Sequence, residues 1–232
     1  MRSCTAVEDH TVEGTSEEPA LPFLDRRAAG LALARVLNPR DNCVVLGIAR
    51  GGVIVAGAVA EALHAPLDVI VVRKVGHPMQ PELAIGAVSA YGDAVVTEHS
   101  AAFPAAVAKS LFAKAREQAL SLDQRLRGDA QPLPLDDRPV IIVDDGIATS
   151  ATMLCAIEAA RKKNAGFIAA AVPVAPADCA ELLRPHCDEL IVLVASRDLP
   201  FAVGRFYFMF AEVSDARVRE ELARARGRSS ER

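Results

Sequence analysis

The sequence predicts an α/β protein built on an open, mostly parallel, twisted sheet flanked by helices. Three observations point there. Short apolar runs alternate with amphipathic stretches of helical length, the order that lays strands side by side through helical crossovers. The runs at 43–48 (Cys-Val-Val-Leu-Gly-Ile) and 139–143 (Pro-Val-Ile-Ile-Val) are continuously apolar, as strands covered on both faces are. Several of them end in glycines or charged residues just before a helical pattern begins, which places polar groups together at one edge of the sheet.

Taken in order, residues 1–22 are rich in Glu, Ser and Thr without apolar periodicity and read as a flexible leader. Asp25 is a candidate N-cap for a helix to about Leu37, with Ala29, Leu33 and Leu37 on one face. The strand at 43–48 is followed by the turn Arg50-Gly51-Gly52 and a helix over 53–64. A second buried strand, 67–73, ends at Arg73-Lys74. Residues 75–82, with Gly76, Pro78 and Pro81, are expected to interrupt regular structure. The runs 84–90 and 94–98 flank Tyr91-Gly92-Asp93 and read as a hairpin. Val107, Leu111, Ala115, Ala119, Leu122 and Leu126 mark a long helix over 103–127. After a linker at Pro132 and Pro134 come strand 139–143, helix 152–164, strand 167–173, helix 177–184, strand 188–194 and a last helix 214–226. Phe206, Phe208 and Phe210 alternate, which suits a strand packing one face inward. This divides the chain into the leader, one domain over 23–226, and a flexible tail over 227–232.

Composition narrows the function. The 232 residues suit one α/β domain, and the net charge of −4 excludes nucleic-acid binding by bulk electrostatics. The five cysteines are odd in number and lack a CxxC pair, which fits reduced thiols in a cytoplasmic protein. No signal peptide or membrane span is expected.

The chemistry concentrates at 140–152. A buried strand runs into Asp144-Asp145, then Gly146-Ile147-Ala148-Thr149-Ser150-Ala151-Thr152, and a helix begins. A helix N-terminus at the carboxyl end of a strand presents free N–H groups to an anion. Small residues let the backbone wrap a phosphate, the hydroxyls of Thr149, Ser150 and Thr152 add donors, and two carboxylates at the mouth suit a sugar diol. Arg50-Gly51-Gly52 is a turn at another strand-to-helix junction.

The segment 143–152 resembles the ribose-phosphate loop of type I phosphoribosyltransferases. Further segments, Phe23-Leu24-Asp25-Arg26, 46–52, Val72-Arg73-Lys74-Val75-Gly76, 81–88 and Phe201-Ala202-Val203-Gly204, are similar to a subgroup of predicted bacterial phosphoribosyltransferases of undefined substrate. The likeness covers about 23–226. It implies that Asp144 and Asp145 serve the ribose hydroxyls, directly or through Mg²⁺, of 5-phosphoribosyl-1-pyrophosphate. It gives Gly146 to Thr152 the 5-phosphate, Arg50, Gly51 and Gly52 the pyrophosphate, and Arg73 and Lys74 a catalytic place at the start of a flap over about 74–98. It further implies a hood over the sheet, from about 23–30 and 199–213, where Val203, Phe206 and Tyr207 would meet a small-molecule, nucleobase-like acceptor. Homodimers are common in such families, and the helix over 103–127 offers a face for one.

The chain departs from the family pattern in three places. Ser150 stands where relatives usually have Gly; it either strains a positive-φ position or replaces glycine harmlessly with a hydroxyl on the phosphate. Ala49 replaces a frequent Pro. Ala148 leaves the loop without the acid found in relatives that use 6-oxopurines. Two functions follow from the likeness, transfer of the phosphoribosyl group or ligand sensing without turnover. A dehydrogenase is disfavoured because no GxGxxG follows the first strand.

Overall fold

The computed structural model describes residues 21–77, 80–97, 100 and 104–230. Most of the expected leader, and the last two residues of the expected tail, lie outside the described residues.

Helix α1 (Arg26–Val36) starts as expected, with Asp25 as N-cap accepting from the Ala28 N–H at 2.8 Å. Then follow β1 (Val44–Ile48), α2 (Gly51–Ala62) and β2 (Leu67–Ile70). The expected strand 67–73 is broken at Val71, where the chain leaves the main sheet and begins β3 (Val72–His77). With β4 (Gln80–Ser89) and β5 (Ala94–Val96) it makes an antiparallel three-stranded sheet, so the hairpin around Tyr91-Gly92-Asp93 is present. Regular structure extends further into 75–82 than expected. Register shifts at Val75/Gly76 and Gly76/His77 absorb the glycine, and Pro81 lies beyond the stretch of β4 that pairs with β5. A proline is tolerated on such an unpaired edge. Pro78, like Met79, lies outside the described residues.

The long helix is α3 (Ala105–Arg127), followed by β6 (Pro139–Val143), α4 (Ala151–Lys162), β7 (Phe167–Pro176), α5 (Ala177–Leu183), β8 (Glu189–Ser196) and α6 (Asp215–Ser230). Helix α6 runs past Gly227, beyond the end the sequence implied. The main sheet has order β2-β1-β6-β7-β8, and every pair is parallel.

Alternate residues of each strand enter opposite cores, as the pleat requires. Val45, Val69, Ile141 and Ala169 pack with Val55, Val59 and Leu222 of α2 and α6. Val44, Leu46, Val140, Ile142 and Ile168 pack with Met153 and Ile157 of α4. This two-sided burial is the reason the strand runs are continuously apolar.

The expected strand through Phe206, Phe208 and Phe210 does not form. Val203–Phe206 is a 3-10 turn, and a single bridge from Phe23 to Tyr207 follows it. The bridge turns Tyr207 inward, 6% exposed, and leaves Phe208 77% exposed, while Phe206 and Phe210 stay half-buried beside Tyr207, so the expected alternation breaks at 207 and 208.

Candidate functional site

The strand order reverses between β1 and β6. The crossover β1–α2–β2 winds one way from that line and β6–α4–β7 the other, which opens a crevice beyond the carboxyl ends of the two central strands. Both strands lead into helices at that crevice. Arg50 and Ser150 are the N-caps of α2 and α4, and neither helix has a side-chain cap. Two positive helix ends with uncommitted N–H groups therefore face one opening.

The two loops touch. A Cβ on Gly51 would lie 1.9 Å from Asp145 Oδ2, and one on Gly52 would lie 2.7 Å from the Val143 carbonyl oxygen. The glycine pair is thus required by the acids behind it. The Ala49–Arg50 peptide in this turn is cis.

The acids hold distinct positions. Asp144 Oδ1 accepts from the Asp145 N–H at 2.9 Å. Burial, and then the charge of Asp145, push the Asp144 carboxyl well above the usual carboxylate range, with Arg26 acting in the opposite sense. Asp145 Oδ2 accepts from Arg26 Nε at 2.7 Å, with both side chains largely buried. Arg26 also donates to the Ala211 carbonyl at 2.8 Å and lies 3.9 Å from the centre of the Phe210 ring.

The hood closes this arrangement. Tyr207 stacks on Phe210 at 4.8 Å, and its hydroxyl donates to the Asp145 carbonyl at 2.5 Å. Burial, chiefly, and the nearby Asp145 push the Tyr207 phenol up. Val203 packs on Gly146, whose missing Cβ would lie 2.5 Å from Val203 Cγ1. Beside it, Phe201 and Phe206 pair at 5.4 Å and line a cavity of about 120 Å³ with Asp198, Pro200, Ala202 and Arg205.

Ser150 has φ −66° and ψ −23°, ordinary right-handed geometry, so the positive-φ alternative does not hold and serine fits without backbone strain. Ala148 and Thr149 are exposed at the opening, Ala151 and Ile147 are buried beneath it, and Thr152 is in the first turn of α4. Arg73 lies on β3 with its Nε buried and without a hydrogen-bond partner; burial first, then Arg50 and Arg125, lower its pKa. Lys74 is the next residue of β3.

The structure therefore brings Arg50, Gly51, Gly52, Asp144, Asp145 and the loop to Thr152 into one crevice, with Arg73 on β3 within the electrostatic reach of Arg50. The sequence reading left out Arg26, Glu212 and Asp215. Arg26 stood within a segment of the family likeness, yet its partner is 119 positions away. Glu212 and Asp215 sit on Arg50 from the far end of the chain, at 3.1 Å and 3.6 Å. No local pattern marks either pairing.

An open parallel sheet with two bare helix ends and paired acids at its switch point defines a doubly wound α/β protein with a candidate site at that crevice. A phosphoribosyl transferase domain model matches residues 21–203, and the chain belongs to that family. A Mycobacterium tuberculosis protein, provisionally named a phosphoribosyl transferase, is 42% identical over 208 residues, covering 88% of this chain and 47% of its own length. The chain thus spans about half the length of that relative. The crystal structure of TT1426 from Thermus thermophilus is similar with a TM-score of 0.75 and 36% identity, over 87% of this chain and 98% of that one. Among the described residues, no helix is long and apolar enough to cross a membrane.

Proposed function

We propose that the chain is a cytoplasmic phosphoribosyltransferase that binds 5-phosphoribosyl-1-pyrophosphate and transfers its phosphoribosyl group to a small, nucleobase-like acceptor. The observation that carries this reading is the convergence of the uncapped ends of α2 and α4 on Asp144 and Asp145 at the β1/β6 switch point. A ligand with a phosphate at each end and a diol between them matches that spacing of donors and acceptors.

In this reading the backbone from Ala148 to Thr152 and its hydroxyls hold the 5-phosphate. Arg50 and the Gly51-Gly52 turn hold the pyrophosphate. Asp144 and Asp145 accept from the ribose hydroxyls. The bond from the anomeric carbon to the pyrophosphate oxygen breaks with its electron pair leaving on oxygen, and an acceptor nitrogen bonds to that carbon while its proton passes to the departing pyrophosphate or to water. Negative charge grows on the leaving group, where Arg50, Arg73, Lys74 and the α2 terminus stabilise it. The β3–β4 hairpin, in the family's flap position, keeps water from the anomeric carbon.

Among the described residues no group of three or more His, Cys, Asp or Glu side chains gathers as a metal cage. The acids fit Mg²⁺ in another way, because that ion is commonly bound by one or two carboxylates together with substrate phosphates. Asp144 and Asp145 would hold it, directly or through water. When bound, Mg²⁺ supplies positive charge to the pyrophosphate. Acceptor recognition falls to the hood, where Val203, Phe206 and the Phe201 ring offer apolar surface and Tyr207 braces the acid loop.

Calorimetric titration of phosphoribosyl pyrophosphate, with and without Mg²⁺, tests the reading. Micromolar, Mg²⁺-dependent binding that disappears in Asp144→Asn/Asp145→Asn is expected. A wild-type protein that binds nothing refutes it.

A further inference from the structure

Arg50, the cation of the proposed pyrophosphate loop, is held by two carboxylates from the other end of the chain. One of its terminal nitrogens donates to Glu212 Oε1 at 3.1 Å, and the other lies 3.6 Å from Asp215 Oδ1. Asp215 is shared: Arg125 Nε donates to its Oδ2 at 2.9 Å, and Arg73 lies within the electrostatic reach of Asp215, Arg50 and Arg125 alike. Two arginines, from the β1–α2 junction and α3, thus share one aspartate at the start of α6, with Arg73 of β3 in the same field. Glu212, 84% exposed, completes the set from the solvent side.

We infer that Glu212 and Asp215 are internal competitors for Arg50, limiting how tightly a pyrophosphate group is held and retaking the arginine when that group departs. This rests on the transferase reading above. The guanidinium of Arg50 donates toward Glu212 and Asp215 along the edges that a pyrophosphate oxygen would also use, so full engagement of the ligand requires the Glu212 contact to open. The exposures set the size of the effect. Asp215 is only 25% exposed and tied to Arg125 as well, so it acts as the fixed member. Glu212 faces water and is the member that yields. A tighter internal pair would block the ligand, and an absent one would leave pyrophosphate bound after transfer. Glu212 lies at the end of the hood segment and Asp215 just beyond it, two and five residues after Phe210, which packs on Arg26. The pyrophosphate end and the acceptor end of the site therefore share one short segment.

The test is calorimetric titration of inorganic pyrophosphate with Mg²⁺ into the full chain, comparing wild type with Glu212→Gln. Ribose 5-phosphate, which carries no group for Arg50, serves as the control ligand. Glu220→Gln serves as the control variant, since Glu220 is an exposed α6 acid paired with Arg217 and makes the same change in net charge. The expected result is pyrophosphate binding roughly two- to fivefold tighter in Glu212→Gln, the worth of one largely exposed ion pair. Ribose 5-phosphate binding and the Glu220→Gln variant should be unchanged. The inference is overturned if Glu212→Gln binds pyrophosphate no more tightly than wild type. It is equally overturned if Glu220→Gln gains as much, which would make the effect one of net charge. Adding Asp144→Asn/Asp145→Asn separates the two levels. Loss of phosphoribosyl pyrophosphate binding there, with no gain in Glu212→Gln, removes the competitor and leaves the transferase reading standing. No binding by any form removes both.

Discussion

The contact between Gly51 and Asp145 makes the sharpest prediction. In Gly51→Ala the new methyl would lie 1.9 Å from Asp145 Oδ2, 2.7 Å from its Cγ and 3.0 Å from Arg26 Nε. Ordinary contact requires roughly 3.5 Å, so the carboxylate must retreat by about 1.5 Å or the helix end must shift by as much. Neither group is loose. Asp145 is bound to Arg26, its carbonyl is bound to Tyr207, and the turn behind Gly51 is packed on Asp144. Overpacking of this kind costs about 1–3 kcal/mol. In a domain of this size, that lowers the melting temperature by about 3–10 °C. A displacement on that scale at a reacting centre costs on the order of a hundredfold in function. Thermal melting and phosphoribosyl pyrophosphate titration measure both effects. Gly227→Ala is the control, because nothing lies within 4 Å of its Cβ position and the residue sits in α6, where alanine is the better helix former. A Gly51→Ala protein that melts with the wild type and binds the ligand within twofold of it would refute the proposed packing of the two loops.

Two further predictions concern one support of the site and one of the fold. Tyr207→Phe removes the hydroxyl that donates to the Asp145 carbonyl; a loss of about 1–2 kcal/mol is expected. Melting should fall by about 2–8 °C, with ligand affinity falling as well; an unchanged melt would show that the acid loop does not depend on this bond. Away from the site, Arg27 holds the Glu61 carboxyl below its ordinary range, with weaker help from Arg228. Because the folded-state value is depressed, the stabilisation is present above the unfolded carboxylate range and is lost as pH falls through the folded value. Glu61→Gln should therefore melt about 1–3 °C below wild type near pH 7 and coincide with it near pH 3. A constant gap across that range in thermal melts would contradict the assignment.

Much of the architecture was legible because it rests on local pattern. Continuous apolar runs marked strands buried on both faces, and Asp25 marked the start of α1. Strand-to-helix junctions at Arg50 and at 144–152 marked the two loops of the crevice. The sequence was less informative where pairing across the chain decides the conformation. Phe206, Phe208 and Phe210 looked like one inward strand face, but the bridge from Phe23 buries Tyr207 and leaves Phe208 outside. Gly76 and Pro81 signalled interruption, but a shifted register lets the strands continue around them. Arg26 was visible as part of a motif and not as the partner of Asp145. The strain question at Ser150 turned on a single dihedral angle that composition does not encode, and its value of φ −66° answers it.

Helix α4 has one further consequence. Its first turn continues from the 144–150 loop, and from Cys155 to its end it holds the turn at Tyr91 to Asp93. Lys162 pairs with Asp93 at 2.9 Å, Lys163 lies 4.2 Å over the Tyr91 ring, and Cys155 donates its thiol to the Asp93 carbonyl at 3.3 Å. A helix of 12 residues is a rod of about 18 Å that hardly stretches. It works as a fixed strut between loop and hairpin turn, so the flap movement proposed above would have to be taken up by the outer portion, beyond the irregular register at Gly76. Lengthening or shortening this strut by a full turn would separate two ends that are each correctly made, and the chain would keep both halves of its site while losing their alignment.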